Sequence, residues 1–401
     1  MAEDRSQPAQ AATGTDRALP PVRTAVLVTN PMVSDARVER HARAMAAWGL
    51  DVTVHAHGEP GLPARESRGG FEIVRHPLEP GRMPIYRLNR SFGRALVKDP
   101  PELILANDLD TGPAALRVAG ADRSIKLVYD AHEWFVERYH PSAWSAKRAV
   151  WRALEKRLLR RADVVITVAD GIAKALRAVG GRDVRVVRNA WPRGVGSDPR
   201  GTLHRMCGAD ASTPIALYAG AIIEGRGLED LIDAAAHAVT TIAIMGPAPR
   251  SAYVAELRAQ AESLGVLDNG VFLIDPVPLE DFARVQSGAA AAVAPTRGDN
   301  ASYKHEASNK VFAALASGIP IVTTESPDKR RLIDAYDCGV LVPARAPEPL
   351  AAAIDRACQP GPDRDRLVRG AQRASEEVCW ERESDRLYEV FAGLVRRDDR
   401  R

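Results

Sequence analysis

Short β-rich runs alternate with helical patterns along almost the whole chain, and the series stops once and starts again. This is the feature that most limits the fold, because strands separated by helices assemble as parallel sheets of strand-helix-strand units. The first series runs TAVLVTN, DVTVHAH, FEIVRH, ELILAND, KLVYDAH, DVVITVA and VRVVRNA, with helical segments such as ARVERHARAMAAWG between most of them. The Pro- and Gly-containing stretch WPRGVGSDPRGTLHR interrupts it, and a second series follows: PIALYAGA, TTIAIMG, GVFLID, AAAVAPT, IPIVTT and GVLVPA. Within the second series, LEDLIDAAAHA carries Leu228, Leu231, Ile232 and Ala235 on one face, the spacing of a helix packed on a sheet. The chain is expected to fold as α/β with two Rossmann-like, doubly wound domains, at residues 23 to 192 and 205 to 380. Helices near 347–358, 363–378 and 381–397 are expected to close it.

Composition narrows the function. A chain of 401 residues, 45% apolar and 27% charged, can build two cores. A net charge of +3 is too small for a dedicated nucleic-acid binder, so small-molecule partners are expected. Cys207, Cys338, Cys358 and Cys379 stand far apart with no CxxC pair, which suggests neither zinc nor a disulfide framework and fits a reducing cytosol. No apolar run reaches membrane-spanning length, so no stable membrane insertion is expected. Residues 1 to 22 lack apolar periodicity and read as a disordered tail. The helical pattern SAKRAVWRALEKRLLRR is basic and amphipathic, a pattern that packing on its own sheet explains as well as membrane contact does.

Two doubly wound domains turn the carboxyl ends of their strands toward a cleft, so polar residues just past strands are the informative ones. In the first domain these are Asn30, Asn107 and Asp108, then Asp130, His132 and Glu133. His132 lies at a strand end between carboxylates and could hydrogen-bond a sugar hydroxyl or spread positive charge in a transition state. In the second domain they are Gly220 to Gly227, Gly246 and the cluster HEASNK. A helix starting near Ser308 would be capped by Ser308 or Asn309, and its free amides would face the cleft as an anion site. Lys310 then puts a cation where the helix dipole disfavours one, and Arg226 repeats the conflict ahead of the helix after Gly227. Both positions make sense around a diphosphate, Arg by bidentate contact and Lys as a point charge; ordinary solvated cations are the alternative. The DLD at 108 to 110 invites a metal, but capping or acceptor contact fits its place in the first domain better.

These motifs, SDARVERHARAMAAWGLDVTV, NDLDTGPAA, KLVYDAHE, VVRNAWP, YAGAIIEGRGLEDLI, IMGP, SNKVFAALASGIPIV and CWERESDRLYEVF, in this order from about residue 23 onward, resemble a family 4 glycosyltransferase of the GT-B fold. The resemblance implies retaining transfer, without metal or other cofactor, of a sugar from a nucleoside-diphosphate donor held by the second domain to an acceptor against the first. It implies donor contacts at Gly220, Arg226, Gly246, Ser308, Asn309 and Lys310, acceptor-side contacts at Asn30, Asp35, Asp108, Asp110 and Glu133, and a last helix crossing back onto the first domain. Two glutamates usual in such enzymes fall here on His305 and Ala313, and a usual arginine falls on Ala221. Glu306, one position out of step, joins His132 as a catalytic candidate. The expected acceptor is a small polar molecule of natural-product metabolism. A cell-envelope or polysaccharide acceptor, and a silent or epimerase-like nucleotide-sugar binder, are the rival readings.

Overall fold

The strands are short and apolar on both faces, as parallel strands covered by helices on both sides must be. The computed structural model describes residues 17–33, 35–77, 83–137, 146–194, 198, 201–298 and 309–396. The first sheet comprises β1 (Arg23–Leu27), β2 (Asp51–His57), β3 (Arg65–Arg68), β4 (Phe71–His76), β5 (Leu103–Asn107), β6 (Lys126–Ala131), β7 (Val164–Thr167) and β8 (Val184–Val186). Its order is β3-β4-β2-β1-β5-β6-β7-β8, parallel except for β3. The second comprises β9 (Ile215–Ala219), β10 (Thr241–Met245), β11 (Val271–Ile274), β12 (Ala291–Ala294), β13 (Ile321–Thr324) and β14 (Gly339–Val342), all parallel in the order β11-β10-β9-β12-β13-β14. In both sheets the order reverses beside the first strand of the series, β1 or β9, which is where ligands of doubly wound folds bind.

Helices cover both faces of each sheet. On one face of the first sheet, Leu88, Phe92, Ala115 and Leu158 pack over Ile104, Leu127 and Tyr129. On the other, Val38, Ala42 and Met45 of the Ala36–Ala47 helix join the last helix, Trp380–Val395, over Val26, Val54 and Leu105. That last helix follows the second sheet in sequence but packs on the first. It buries Leu387, Val390 and Phe391 there, each contributing about 1.5–3 kcal/mol of hydrophobic stabilisation. The two chain crossings between domains are bonded to each other. Trp380 N donates to Trp191 O at 2.8 Å, and Arg193 N donates to Glu381 Oε1 at 3.2 Å.

Two expectations need correction. Residues 17 to 22 are ordered where a disordered tail is expected: Leu19 is buried, its amide donates to Trp48 O at 2.7 Å, and Arg17 pairs with Asp385, while residues 1 to 16 lie outside the described residues. One leucine with a docking partner is enough to order a segment whose composition is otherwise tail-like. The strictly parallel pattern also fails at Arg65–Arg68, which pairs antiparallel with β4 through the tight Gly69-Gly70 turn. This charged edge strand leaves β4 paired on both sides. The basic helix Ala146–Arg161 packs on the first sheet through Leu158 and Leu159.

Candidate active site

The carboxyl ends of both sheets face one cleft. Helix Asp170–Val179, leaving β7, touches helix Pro327–Tyr336, leaving β13, across the domain junction.

On the first-domain side the hub is Asp130, the fifth residue of β6, with no exposed surface. Arg37, in the first turn of the Ala36–Ala47 helix, meets it with Nε at 3.0 Å and Nη2 at 2.9 Å and donates its third contact to Val187 O at 3.0 Å. Burial alone would raise the Asp130 carboxyl, but Arg37 and then His132 outweigh it and hold it well below the usual carboxylate range. His132 stands just past the end of β6. Its Nδ1 lies 3.2 Å from Asp108 Oδ2 and its Nε2 lies 3.4 Å from Asp130 Oδ2. Burial would push this imidazole down, yet Asp130 and Asp108 prevail and hold it well above the ordinary histidine range. At neutral pH it is an imidazolium between two carboxylates, a fixed positive charge at the cleft. A second histidine, His41, lies 3.5 Å from Asp130 and is driven the other way, chiefly by burial and then by Arg37, so it is neutral.

The remaining acceptor-side candidates are placed around this hub with much of their bonding capacity already engaged. Asp108 holds a left-handed φ of 59°, rare for a non-glycine residue, with its amide on Asp130 O at 2.9 Å. Asp110 Oδ2 accepts from Thr29 Oγ1 at 2.8 Å. Asp35 caps the Ala36–Ala47 helix through Val38 N at 3.0 Å and accepts from Asn30 Nδ2 at 2.7 Å. Asn30, in turn, accepts from Met32 N at 2.9 Å, so Asn30 and Asp35 shape the turn after β1. Glu133 is half-buried beside His132.

On the second-domain side, Gly220 directly follows β9 and Gly246 directly follows β10. The Lys310 side chain lies directly over Gly220: a β-carbon there would come within 2.5 Å of its Cε. One at Gly246 would run into the Gly220 carbonyl, so both glycines are required for close approach. Lys310 Nζ sits 5.1 Å from the centre of the buried Tyr218 ring, whose hydroxyl donates to Ala221 O at 2.9 Å. Lys310 occupies the first turn of helix Asn309–Ala316, and Asn309 is exposed at its start. Arg226 is half-buried between Gly225 and Gly227, its Nε and Nη1 shielded from solvent. At Gly227 a side chain would collide with Pro295 O, and φ is 74°, so only glycine lets this turn close on β12. Ser308 and Glu306 lie outside the described residues, as does His305. Ala313 is buried in the helix.

Sequence reasoning missed three parts of this machinery. Arg297, past β12, grips Asp230 with Nε at 2.9 Å and Nη2 at 2.7 Å and reaches Glu229 at 3.3 Å, tying the helix after Gly227 to the next strand end. Its sequence signal is an arginine three residues past a strand. Tyr218 beneath Lys310 reads from sequence as one more core aromatic. Arg40 lies over both Trp191 and Trp380, at 5.3 and 5.8 Å, where the chain crosses between domains, and donates to Asn189 at 2.7 Å. Burial, then Arg37, lowers its pKa to about 10, so it stays charged.

A glycosyl transferase 4-like domain matches residues 34–190, and a glycosyl transferases group 1 domain matches residues 213–359. No curated protein sequence matches the chain. Among solved structures, sucrose-phosphate synthase from Thermosynechococcus elongatus aligns with a TM-score of 0.78 at 19% identity, covering 94% of this chain and 99% of that one. HepE of Anabaena, in complex with UDP and glucose, gives 0.74 at 16% identity over 93% and 100%. An α,α-trehalose-phosphate synthase (UDP-forming) from Burkholderia vietnamiensis gives 0.69 at 12% over 94% and 98%. With two consecutive glycosyl transferase domains matched over most of its length, on two Rossmann-like domains that open to one cleft, the chain belongs to the GT-B glycosyltransferases.

Proposed function

We propose that this glycosyltransferase moves a sugar, with retention and in the manner of family 4, from a nucleoside-diphosphate sugar on its second domain to a small polar acceptor on its first. The observation that carries the donor half is Lys310 stretched across Gly220 at the start of a helix. An ammonium, a glycine that admits close approach and helix amides together suit a diphosphate. Asn309 and, by sequence, Ser308 add the helix start, and Arg226, half-buried in the loop after Gly225, adds a second cation on the same domain. HepE, which shares the fold, is solved with UDP-glucose in a further structure, and this supports a nucleotide-sugar donor here.

The catalytic half rests on His132 as a fixed cation facing the reacting sugar from the domain opposite the diphosphate. Positive charge held at that edge by Asp108 and Asp130 favours an electron-rich group in the transition state without taking its proton. Same-face attack lets the leaving phosphate accept the acceptor's proton, so no side chain need act as base. Metal is not required: the helix start and Lys310 balance the leaving diphosphate, and Asp108 and Asp110 bond His132 and Thr29. Four free, buried cysteines support a reducing, cytosolic setting, and a natural-product acceptor suits a cleft lined by polar strand ends.

The test is a panel of nucleoside-diphosphate sugars assayed for nucleoside diphosphate release, with the product anomer read by NMR and parallel reactions in excess EDTA. Retained configuration and EDTA-resistant turnover are expected. An inverted product, or activity lost to EDTA and restored by magnesium, would overturn the respective part.

A further inference from the structure

We propose that the first domain carries a second ligand site, a groove that binds phosphate groups at the pole opposite the cleft. Helix Gly112–Ala121 leaves β5 at the cleft and returns to the start of β6, while helix Ala146–Arg161 runs into the start of β7. Their carboxyl ends therefore meet at the amino ends of the strands, a strand's length or roughly 17 Å from the residues described above. Between them lies a cavity of about 500 Å³ lined by Leu116, Arg123, Lys156, Arg157, Arg160 and Arg161, with no carboxylate in its wall.

These cations divide into two kinds. Arg161 is structural: it is buried and donates to Ala119 O at 2.6 Å and Ile125 O at 2.7 Å, fastening both helix ends and supplying the positive charge that helix carbonyls favour. Arg123, Lys156, Arg157 and Arg160 are exposed and make no ion pair among the described residues. The acidic member of the same helix, Glu155, is turned into the core and does not neutralise them. Four like charges around one concavity repel each other, and a bound anion of two or more charges relieves that repulsion. Guanidinium forks select phosphate oxygens. The cavity fits one small phosphorylated group, whether a soluble phosphorylated metabolite or a lipid phosphate headgroup. Its distance from the reaction cleft makes it a docking or regulatory site.

The experiment compares the full chain with the triple variant Arg123→Gln, Arg157→Gln and Arg160→Gln, none of which touches the cleft or the core. Inorganic pyrophosphate is titrated by calorimetry at 0.15 M salt, and flotation is measured with phosphatidylglycerol and with phosphatidylcholine vesicles. Any pyrophosphate bound at the cleft is common to both proteins, so the difference isolates the groove. Exposed contacts are each worth only a few-fold, and losing three should weaken that one site about tenfold and flatten its salt dependence. Loss of the pyrophosphate site without vesicle binding by either protein identifies a soluble ligand. Loss of both pyrophosphate and phosphatidylglycerol binding identifies a headgroup. Equal binding by both proteins, or no groove site in the unmodified chain, overturns the proposal, and neither result bears on Lys310 or the donor site.

Discussion

Asp130→Asn should both destabilise the fold and lower the charge on His132. The substitution keeps the shape of the side chain and removes its charge, leaving Arg37, 4% exposed, without the carboxylate that meets it at 2.9 and 3.0 Å. A charge pair about 4 Å apart at an effective dielectric near 20 is worth about 4 kcal/mol. Removing one partner of a buried pair typically costs about 3–5 kcal/mol, because the survivor stays desolvated. We expect a loss in that range from urea unfolding followed by a first-domain signal. The same change removes the leading cause that raises His132, so burial should pull its titration down toward or below the usual histidine range, readable by NMR. Arg37→Gln combined with Asp130→Asn should cost less than the sum of the two single changes, since neither charge is then stranded. A single-variant loss below about 1 kcal/mol, strict additivity in the double variant, or an unchanged His132 titration would refute the hub as described.

Lys310→Ala should weaken nucleoside-diphosphate binding about tenfold to a hundredfold by calorimetry, with the melting temperature nearly unchanged. His132→Ala should lower kcat by about thirty-fold to a thousand-fold while donor affinity, measured separately, stays near that of the unmodified chain. Near-normal turnover would return the imidazolium to a purely structural role. Glu155, buried near Glu137, has its carboxyl raised by burial to about 7, so the folded chain keeps a proton that the unfolded chain releases near 4.5. Stability should therefore fall as pH climbs between those values and level off above them, and Glu155→Gln should flatten that part of the profile.

The sheets were legible because parallel strands covered on both faces read as apolar runs, and because several strand ends announce themselves with Asn, Asp, His or Gly. KLVYDAH and PIALYAGA are of this kind. The edge strand RESR was not legible as one: it is charged, four residues long and held mainly by its pairing to β4. The individual polar residues of the site could be picked out, but not their partners. Arg37 and Asp130 are 93 positions apart, and Arg297 and Asp230 are 67 apart. Such pairings are products of the topology, and no local propensity encodes them. Leu19 is a further instance, since a lone leucine in a polar segment gains its meaning only from the Trp48 carbonyl it docks beside.

The last helix packs on the first sheet although the second sheet precedes it in sequence. Topologically the second domain is therefore an insert within the first, spliced in at Trp191 and out again at Trp380. A fragment ending at residue 192 would leave Val26, Val38 and Leu105 without the cover of Leu387, Val390 and Phe391, so the first domain has no autonomous C-terminal boundary. A chimera that exchanges the second domain must replace everything between the two tryptophans as one cassette and preserve both splice points. Because those points are hydrogen-bonded to one another and share the Arg40 guanidinium, the inserted domain hangs from a double tether. A double tether lets the two halves bend toward each other more readily than it lets them twist.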